Sequence, residues 1–179
     1  MSSIRFAVAL YTIDSWTIVQ LPLKASKQLS SRGLNMAEVS VDGHRFTAPL
    51  EPDGQGSHWF SIDQDLLAAI RVQSGDTVNV EITPMADWPR PDMPHDIRQG
   101  IDAVPEAQAL WQQITPKAQW EWLRWIRATN RLETRQRRIE VACSKMQSGM
   151  RRPCCFNSSM CTEPAVSKNG VLLAPASIR

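Results

Sequence analysis

The sequence lacks the patterns that usually identify an enzyme or a membrane protein. No apolar run approaches the roughly 20 residues that a membrane-spanning helix needs. Histidine occurs only three times, and no glycine-x-serine-x-glycine nucleophile elbow is present. Gly54 and Gly56 lack the third glycine and the strand–helix context of a dinucleotide-binding loop, so they predict a turn. We therefore expect no membrane span and no cofactor, and these absences favour a non-catalytic protein.

Cysteine is also scarce, and its spacing does not favour a metal site. The four cysteines are Cys143, Cys154, Cys155 and Cys161, and no two have the Cys-x-x-Cys spacing of a zinc site. Residues 1–5 lack the start of a secretory signal, so we expect a cytoplasmic protein with reduced thiols. A zinc or redox role is the alternative. Cys154 follows two arginines and a proline and is the candidate reactive thiol, because nearby positive charge stabilises a thiolate.

The net charge of +2 conceals a strong asymmetry along the chain. The composition, 42% hydrophobic and 21% charged, is that of an ordinary globular protein. Residues 1–119 carry 9 Lys and Arg against 14 Asp and Glu, whereas residues 120–152 carry 9 against 3. Two consequences are open. The two parts of the chain attract each other, or the basic part recruits a phosphate or an acidic partner.

Residues 1–83 predict a small β-barrel domain. The segment Thr77–Ile82 alternates apolar and polar residues with the period of a strand. Asp42 and Gly43 separate two β-rich runs and predict a tight hairpin, because a type I′ turn needs positive φ at both central positions. Asp63 predicts an N-cap for a short helix that runs through Ile70. Five or six short strands with two small helices are typical of a compact, twisted barrel.

A proline-rich linker and a helical domain follow. Four prolines between residues 84 and 94 end regular structure, so residues 84–93 predict a linker. Residues 94–149 predict the helical domain, and residues 150–179 predict an irregular tail rich in Cys, Ser and Pro. The predicted fold class is therefore α+β, with a small N-terminal barrel, a C-terminal helical domain and a tail.

Capping residues predict where the longer helices begin and end. Thr115 is a good N-cap and Pro116 suits the first helical position, so a helix should run through Ala128. Asn130 and Glu133 predict a capping box for the last long helix, which should end at Gly149. In that helix, an apolar stripe is predicted at Leu132, Ile139, Cys143 and Met146.

The motifs of the first domain resemble those of a small bacterial β-barrel family of unassigned function. They occur in order at Trp16–Pro22, Val41–Phe46 and Gly75–Ile82, and read W-T-I-V-Q-L-P, V-D-G-H-R-F and G-D-T-V-N-V-E-I. The members of that family are related in fold to AbrB-like double-split barrels. The resemblance therefore implies a barrel of the double-split type for residues 1–83.

The second domain resembles the YdeI/OmpD-associated family, also labelled bacteriocin-protection. The motifs that carry the resemblance are P-H-D-I, A-Q-A-L-W, W-L-R-W-I-R, E-T-R-Q-R-R-I-E and S-G-M-R-R-P-C-C-F-N, between residues 94 and 157. The resemblance implies a helical domain and a connection with stress or bacteriocin resistance, but no catalytic residues. Such proteins usually have Ala-Lys before the E-T-R motif, where this chain has Ala128, Thr129 and Asn130.

The segment Trp120–Glu140 is the most unusual part of the chain. It contains three tryptophans and six arginines in 21 residues. Apolar stripes at helical spacing usually belong to a core, so we expect two of the tryptophans in the core and one at its boundary. The alternative is a platform on which bases or sugars stack, which the neighbouring arginines would favour.

The arginines of this segment are the main candidates for partner binding. Two hypotheses are open: they dock on the acidic barrel through carboxylates, or they bind a nucleic acid or phosphate ligand. The candidate residues for binding an anion or a partner are Arg124, Arg127, Arg131, Arg135, Arg138, Arg151 and Arg152.

Two further function hypotheses come from other classes of protein. An enzyme or a small-ligand receptor would place a pocket between the barrel and the helices, with Trp59, His95 and Trp122 as candidate lining residues. An interaction scaffold would form a homodimer through an edge of the barrel. The leading hypothesis is a non-catalytic cytoplasmic binding protein.

Overall fold

The computed structural model describes residues 2–154 and 156–175 of the 179-residue chain. These residues divide into two units. The sheet unit contains residues 2–86, 158–161 and 166–175, and the helical unit contains the rest of the described chain. The predicted α+β class is confirmed, because a curled sheet is followed along the chain by a set of helices.

Seven antiparallel strands form the main sheet. They are Ile4–Ala9 (β1), Tyr11–Ile13 (β2), Trp16–Gln20 (β3), Asn35–Val41 (β4), His44–Pro52 (β5), His58–Ile62 (β6) and Thr77–Pro84 (β7). Their order across the sheet is β1-β7-β4-β5-β6-β3-β2. Two short helices, Leu23–Ser26 (α1) and Gln64–Ile70 (α2), connect the strands.

The sheet curls because its two outermost strands are consecutive in the chain. Only Leu10 separates β1, which pairs with β7, from β2, which pairs with β3. The Leu10 N–H donates to the carbonyl of Asp76 (2.9 Å), and its carbonyl accepts from the Gly75 N–H (2.8 Å). One bent segment thus supplies both outermost strands, and the sheet curls to bring them together. This confirms the predicted barrel-like sheet. Its relation to AbrB-like barrels stays a prediction.

The concave side of the sheet holds the core of the unit. Along β7, Val78, Val80 and Ile82 are at most 2% exposed and alternate with more exposed residues. They join one hydrophobic cluster with Leu50 of β5 and Phe60 of β6. Burial of each such side chain contributes about 1.5–3 kcal/mol, so this period-two pattern determines which face of the sheet is internal.

Two local predictions for the sheet unit are confirmed. Asp42 (φ 45°) and Gly43 (φ 89°) form the tight turn between β4 and β5 with positive φ at both positions. Asp63 caps α2, since its Oδ1 accepts a hydrogen bond from the Leu66 N–H at 2.8 Å.

Four helices make up the helical unit. They are His95–Asp102 (α3), Pro105–Gln113 (α4), Pro116–Arg127 (α5) and Leu132–Gln147 (α6). The predicted start of α5 is confirmed, because Thr115 Oγ1 accepts a hydrogen bond from the Ala118 N–H (3.2 Å) and Pro116 occupies the first helical position.

Two predictions for α6 are wrong. Its N-cap is Arg131, whose side chain makes no capping hydrogen bond, so Asn130 and Glu133 form no capping box. Leu132 is 82% exposed, whereas Ile139, Cys143 and Met146 are buried as predicted. Leu132 is the first residue of the helix and lies about 10 Å along the axis from Ile139, beyond the part of α6 that packs on its neighbours.

The prediction of two core tryptophans in α5 is also wrong. Only Trp122 is fully buried, whereas Trp120 and Trp125 are half-buried. The indole N–H of Trp120 donates to the Pro89 carbonyl (2.9 Å), and Trp125 packs edge-on against Trp122 with ring centroids 6.0 Å apart. An indole placed at the boundary buries its apolar face while its N–H reaches an acceptor.

The C-terminal segment contains more regular structure than its composition indicates. Ser167–Lys168 (β8) and Val171–Leu172 (β9) form a small hairpin. The Leu172 N–H donates to the Asp53 carbonyl (2.8 Å), and Val166 is fully buried. Residues 150–175 are therefore not uniformly irregular, and residues 176–179 lie outside the described chain.

The close contact between α3 and α6 generates a testable prediction. A Cβ added to Gly100 would collide with Ile139 Cγ2. Helix propensity alone favours alanine over glycine by about 1 kcal/mol. We nevertheless expect Gly100→Ala to lower the free energy of unfolding by about 1–3 kcal/mol, because overpacking forces side chains off their rotamers. Urea denaturation of both proteins measures the difference.

The Ile139→Leu background is the matched control, since leucine has no Cγ2 methyl. There the cost of Gly100→Ala should fall by at least half through coupling of the two sites. An equal cost in both backgrounds would contradict the proposed steric cause.

Candidate functional site

The candidate arginines lie on α5, on α6 and in the segment that follows. Arg124 is completely buried, and its guanidinium lies 5.4 Å from the centre of the Phe156 ring. Its neighbour Arg127, at the last position of α5, is half-buried. A buried guanidinium does not contribute to an exposed binding face, so Arg124 has a different role from the one that a basic surface requires.

Arg135 and Asp96 form a bidentate ion pair between α6 and α3. Arg135 Nε donates to Asp96 Oδ2 at 2.6 Å, and Nη2 donates to Oδ1 at 3.0 Å. These hydrogen bonds hold the pKa of the Asp96 carboxyl below its usual range and raise the pKa of the guanidinium. Two parallel N–H···O bonds fix the geometry of both side chains, so the pair ties the two helices together.

Arg138 stabilises the C-terminal end of α5. Its Nη1 donates to the carbonyls of Trp125 (2.7 Å) and Ala128 (3.2 Å), and the guanidinium lies 5.5 Å from the centre of the Trp125 ring. The last carbonyls of a helix have no intrahelical partner and carry partial negative charge. Arg138 donates to two such carbonyl groups, and neither carries a formal charge that would neutralise the guanidinium.

Arg131 and Arg137 are exposed near the start of α6. Arg137 was not among the residues selected from the sequence, although the E-T-R-Q-R-R motif contains it. An open groove of about 710 Å³ runs along this part of the helix. Its lining residues are Arg131, Leu132, Glu133, Thr134, Gln136, Arg137 and Glu140.

Arg151 and Arg152 are exposed beyond the end of α6. Arg151 Nη2 donates to the Gln113 carbonyl at 3.2 Å, while the carbonyl of Arg151 accepts from the Trp122 indole N–H at 3.1 Å. Arg152 lies 3.8 Å from a Glu121 carboxylate oxygen, a long contact on a side chain that is 59% exposed. The seven candidate arginines therefore do not form one continuous face.

The three candidate lining residues have different surroundings. Trp59, in the sheet unit, is 2% exposed and packs edge-on against Trp16 with centroids 6.3 Å apart. Its indole N–H has no hydrogen-bond partner among the described residues. In the helical unit, His95 is exposed at the first position of α3, and Trp122 is buried in the core.

The structure separates the cysteines by exposure. Cys143 and Cys161 are buried, and burial raises the pKa of the Cys143 thiol. Cys154 is exposed, and Lys145 Nζ donates to its sulfur at 3.0 Å. Cys155 lies outside the described residues. Within the described ranges, no three His, Cys, Asp or Glu side chains converge in a way that would hold a metal ion.

The sheet unit contains a polar network that the sequence patterns did not indicate. Gln20 Nε2 donates to Asp53 Oδ2 (3.0 Å), and the Tyr11 hydroxyl lies 3.4 Å from Gln20 Oε1 and 3.3 Å from the Leu173 carbonyl. Burial, followed by the negative charge of Asp53, raises the pKa of Tyr11 to about 12. The Asp53-Gly54 turn was the one available signal, because a turn aspartate often accepts backbone hydrogen bonds.

A second polar cluster surrounds the buried His58 on β6. Its Nδ1 lies 2.7 Å from Ser26 Oγ, and its Nε2 lies 2.8 Å from the Gly33 carbonyl. The tautomer that donates from Nε2 and accepts the serine hydroxyl at Nδ1 satisfies both contacts. His58 therefore connects α1 and the following loop to the sheet.

A curled antiparallel sheet followed by four helices, of which the last two are rich in arginine, defines a two-unit α+β protein. Residues 90–149 match the family described as bacteriocin-protection, YdeI or OmpD-associated. Residues 8–82 match a domain of unknown function, DUF1905. These matches confirm the resemblance of each part: residues 90–149 are similar to the YdeI/OmpD-associated family, and the sheet part before them is similar to DUF1905.

No curated protein matches the chain significantly. None of the helices formed by the described residues is both long and apolar enough to cross a membrane.

The Arg135–Asp96 ion pair predicts a pH-dependent stability. Folding lowers the pKa of Asp96, so the pair contributes fully above the unfolded pKa of about 3.9 and is lost as the pH falls through the folded pKa. Asp96→Asn should therefore lower the free energy of unfolding by about 1 kcal/mol at neutral pH, and by much less in acid. Urea denaturation at several pH values measures this.

Glu38→Gln is the matched control, because Glu38 and Arg45 form a single, exposed contact of 3.3 Å. Its effect should stay below about 0.5 kcal/mol. An Asp96→Asn effect that is no larger, or that does not change with pH, would refute the assigned role of the bidentate pair.

Tyr11 offers a direct titration because it is the only tyrosine in the chain. Phenolate absorbance after a rapid pH jump should show a midpoint near 12 in the folded protein, compared with about 10 when it is unfolded. Because folding raises this pKa, the associated stability is complete below about pH 10 and is lost as the pH rises through 12. Asp53→Asn should lower the midpoint. A folded-state midpoint near 10 would disprove the assignment.

Proposed function

We propose that this protein is a non-catalytic cytoplasmic binding protein of the YdeI/OmpD-associated type, and that its helical unit binds an anionic partner such as a nucleic acid. The exposed arginines Arg131, Arg137, Arg151 and Arg152 make the contacts. The connection with bacteriocin protection comes from the family description alone.

The observation that carries the proposal is the way in which Arg138 and Arg151 are held. The hydrogen bonds that anchor their guanidiniums go to backbone carbonyl oxygens. A carbonyl fixes a guanidinium in place but does not cancel its formal charge. The segment 120–152, with 9 basic against 3 acidic residues, therefore keeps much of its positive charge. Because Arg151 is also exposed, its anchored guanidinium binds phosphate with a smaller loss of conformational entropy than a flexible one.

The position of the remaining arginines supports the same function. Arg131 and Arg137 flank the start of α6, where the first N–H groups have no side-chain cap. Arg151 and Arg152 lie beyond the other end of this 16-residue helix, which is about 24 Å long. Cations near both ends of one helix suit an extended polyanion better than a single phosphate, because each group can meet a different part of it.

The arrangement of the histidines supports a non-catalytic role. Both ring nitrogens of the buried His58 contact groups of its own unit. His44 and His95 are exposed at the first positions of β5 and α3. A general base needs a ring nitrogen that can reach a substrate, whereas both ring nitrogens of His58 are engaged by Ser26 and the Gly33 carbonyl.

Salt-dependent binding tests the proposal. Arg131→Gln combined with Arg137→Gln should weaken binding to a fluorescent duplex DNA and to a single-stranded RNA. It should also reduce the slope of log K against log salt for the duplex by about 1.8, which corresponds to two lost phosphate contacts. Fluorescence anisotropy between low and moderate salt measures both quantities. Arg135 and Arg138 are unsuitable for this test because their loss would disturb the helices themselves.

The matched control removes the same charge from the sheet unit, through Arg5→Gln and Arg45→Gln, both exposed. This variant should keep the slope of the parent protein. Equal losses in the two variants would indicate a general effect of net charge, and absence of binding at low salt would exclude a nucleic-acid partner.

A further inference from the structure

The ladder between β5 and β6 contains only two residue pairs, at the end of β5 and the start of β6. On its other edge, β5 pairs with β4 along residues 44–50. If the β5–β6 register continued, Pro49 would lie opposite Ser61 and Ala48 opposite Ile62, but neither pair is formed. The sheet is therefore split between these two strands.

The alternation of hydrogen bonds along β4 shows which groups of β5 face the split. The Met36 carbonyl accepts from the Met85 N–H (2.9 Å), so the backbone groups of Met36 point toward β7. The backbone groups of its partner in β5, Pro49, therefore point away from β4. Those of Thr47, two residues earlier, point the same way. The N–H of Thr47 and the carbonyls of both residues face the split.

The same reasoning applies to β6. The His58 carbonyl accepts from the Leu21 N–H (2.9 Å) on the β3 side, so Ser61, three residues further on, faces β5. Among the described residues, no backbone hydrogen bond is made by Thr47, Pro49 or Ser61 on this side. Pro49 has no N–H, so β5 cannot complete a ladder with β6 here.

A groove of about 600 Å³ lies over the split. Its apolar lining includes Trp16, Phe46 and Leu66, each half-buried. Asp63 is the only charged residue of the lining. The groove is lined by Ser15, Trp16, Phe46, Thr47, Ala48, Pro49, Ser61, Ile62, Asp63, Gln64 and Leu66.

We propose that this groove binds an extended segment of a partner protein, which adds a strand to β5 through Thr47 and Pro49. An edge that offers alternating N–H and carbonyl groups is matched by another strand, since only a peptide backbone repeats these groups at the same spacing. Residues 46–50 span about 16 Å, enough for four or five residues of the partner. The inference goes beyond the proposed function, because it concerns the other unit and another partner.

The charge of the groove indicates the composition of the partner segment. Asp63 lines the groove, and Asp14 and Asp65 are exposed next to lining residues in the sequence. The exposed Arg45, next to Phe46, is paired with Glu38 at 3.3 Å. Residues 1–86 carry 6 Lys and Arg against 9 Asp and Glu. The partner segment therefore alternates apolar side chains, which contact Trp16 and Phe46, with at least one lysine or arginine.

The probe is a capped eight-residue peptide that alternates lysine and valine. Nuclear magnetic resonance titration should shift the amide signals of Thr47 and Ser61, and bound peptide should slow hydrogen exchange at Thr47 by about tenfold or more. The same peptide with N-methylated valines has the same charge and side chains but fewer backbone donors. It should bind about tenfold more weakly, because backbone hydrogen bonds are lost.

Two variants of the protein test the two recognition elements. Asp63→Asn removes the charge but keeps a good N-cap for α2, and should weaken the lysine peptide about three- to fivefold. Glu106→Gln, which removes an exposed charge from α4 of the helical unit, should have no effect. Thr47→Pro removes the N–H that faces the split without removing a bond to β4, and should weaken binding about fivefold.

Four outcomes of the peptide experiments would overturn the proposal. They are equal binding of the N-methylated peptide, shifts confined to residues outside the groove, unchanged affinity in both Asp63→Asn and Thr47→Pro, and no shift at about 1 mM peptide. Shifts of Thr47 and Ser61 that depend on protein concentration without peptide would also overturn it, because a second copy of the chain would then be the occupant.

Discussion

The bend at Leu10 is the constraint on which the sheet unit depends. A single segment pairs with β7 before the bend and with β3 after it, so the sheet must curl until both ends of the strand order reach that segment. The curl places Val80, Ile82 and Phe60 in one concave core. It also leaves an opening where a proline prevents a full ladder, between β5 and β6. The core and the candidate peptide groove are thus two results of the same closure.

The helical unit depends on guanidiniums in a comparable way. Arg135 joins α3 to α6 through a carboxylate, whereas Arg138 holds the end of α5 through carbonyl oxygens. The carboxylate of Asp96 neutralises the charge of Arg135, whereas a carbonyl oxygen does not neutralise the charge of Arg138. A sequence rich in arginine therefore combines a structural role with a net positive charge, and the residues that stabilise the unit differ from those, such as Arg131 and Arg137, that remain available to a partner.

Local sequence features were predicted well where the physical cause was local. The hairpin at Asp42 and Gly43 and the caps at Asp63 and Thr115 depend on a few neighbouring residues. The capping box at Asn130 failed although its spacing was correct, because the chain enters α6 one residue later, at Arg131. Helical periodicity identified Ile139 and Met146 as buried but misplaced Leu132, since the period does not show where the packing neighbours of a helix end.

The sequence by itself determined the α+β class, the order of sheet and helices, and the family that each part resembles, because patterning and motifs are properties of the chain order. Only the tertiary structure decided which arginines stabilise the fold. The partner of Arg135 is Asp96, 39 residues away, and Arg138 donates to a carbonyl of the preceding helix. No rule of local spacing predicts either contact. The split beside Pro49 likewise needs the register of three strands to be known. Contacts between residues that are distant in sequence form when the elements pack, and local periodicity does not predict them.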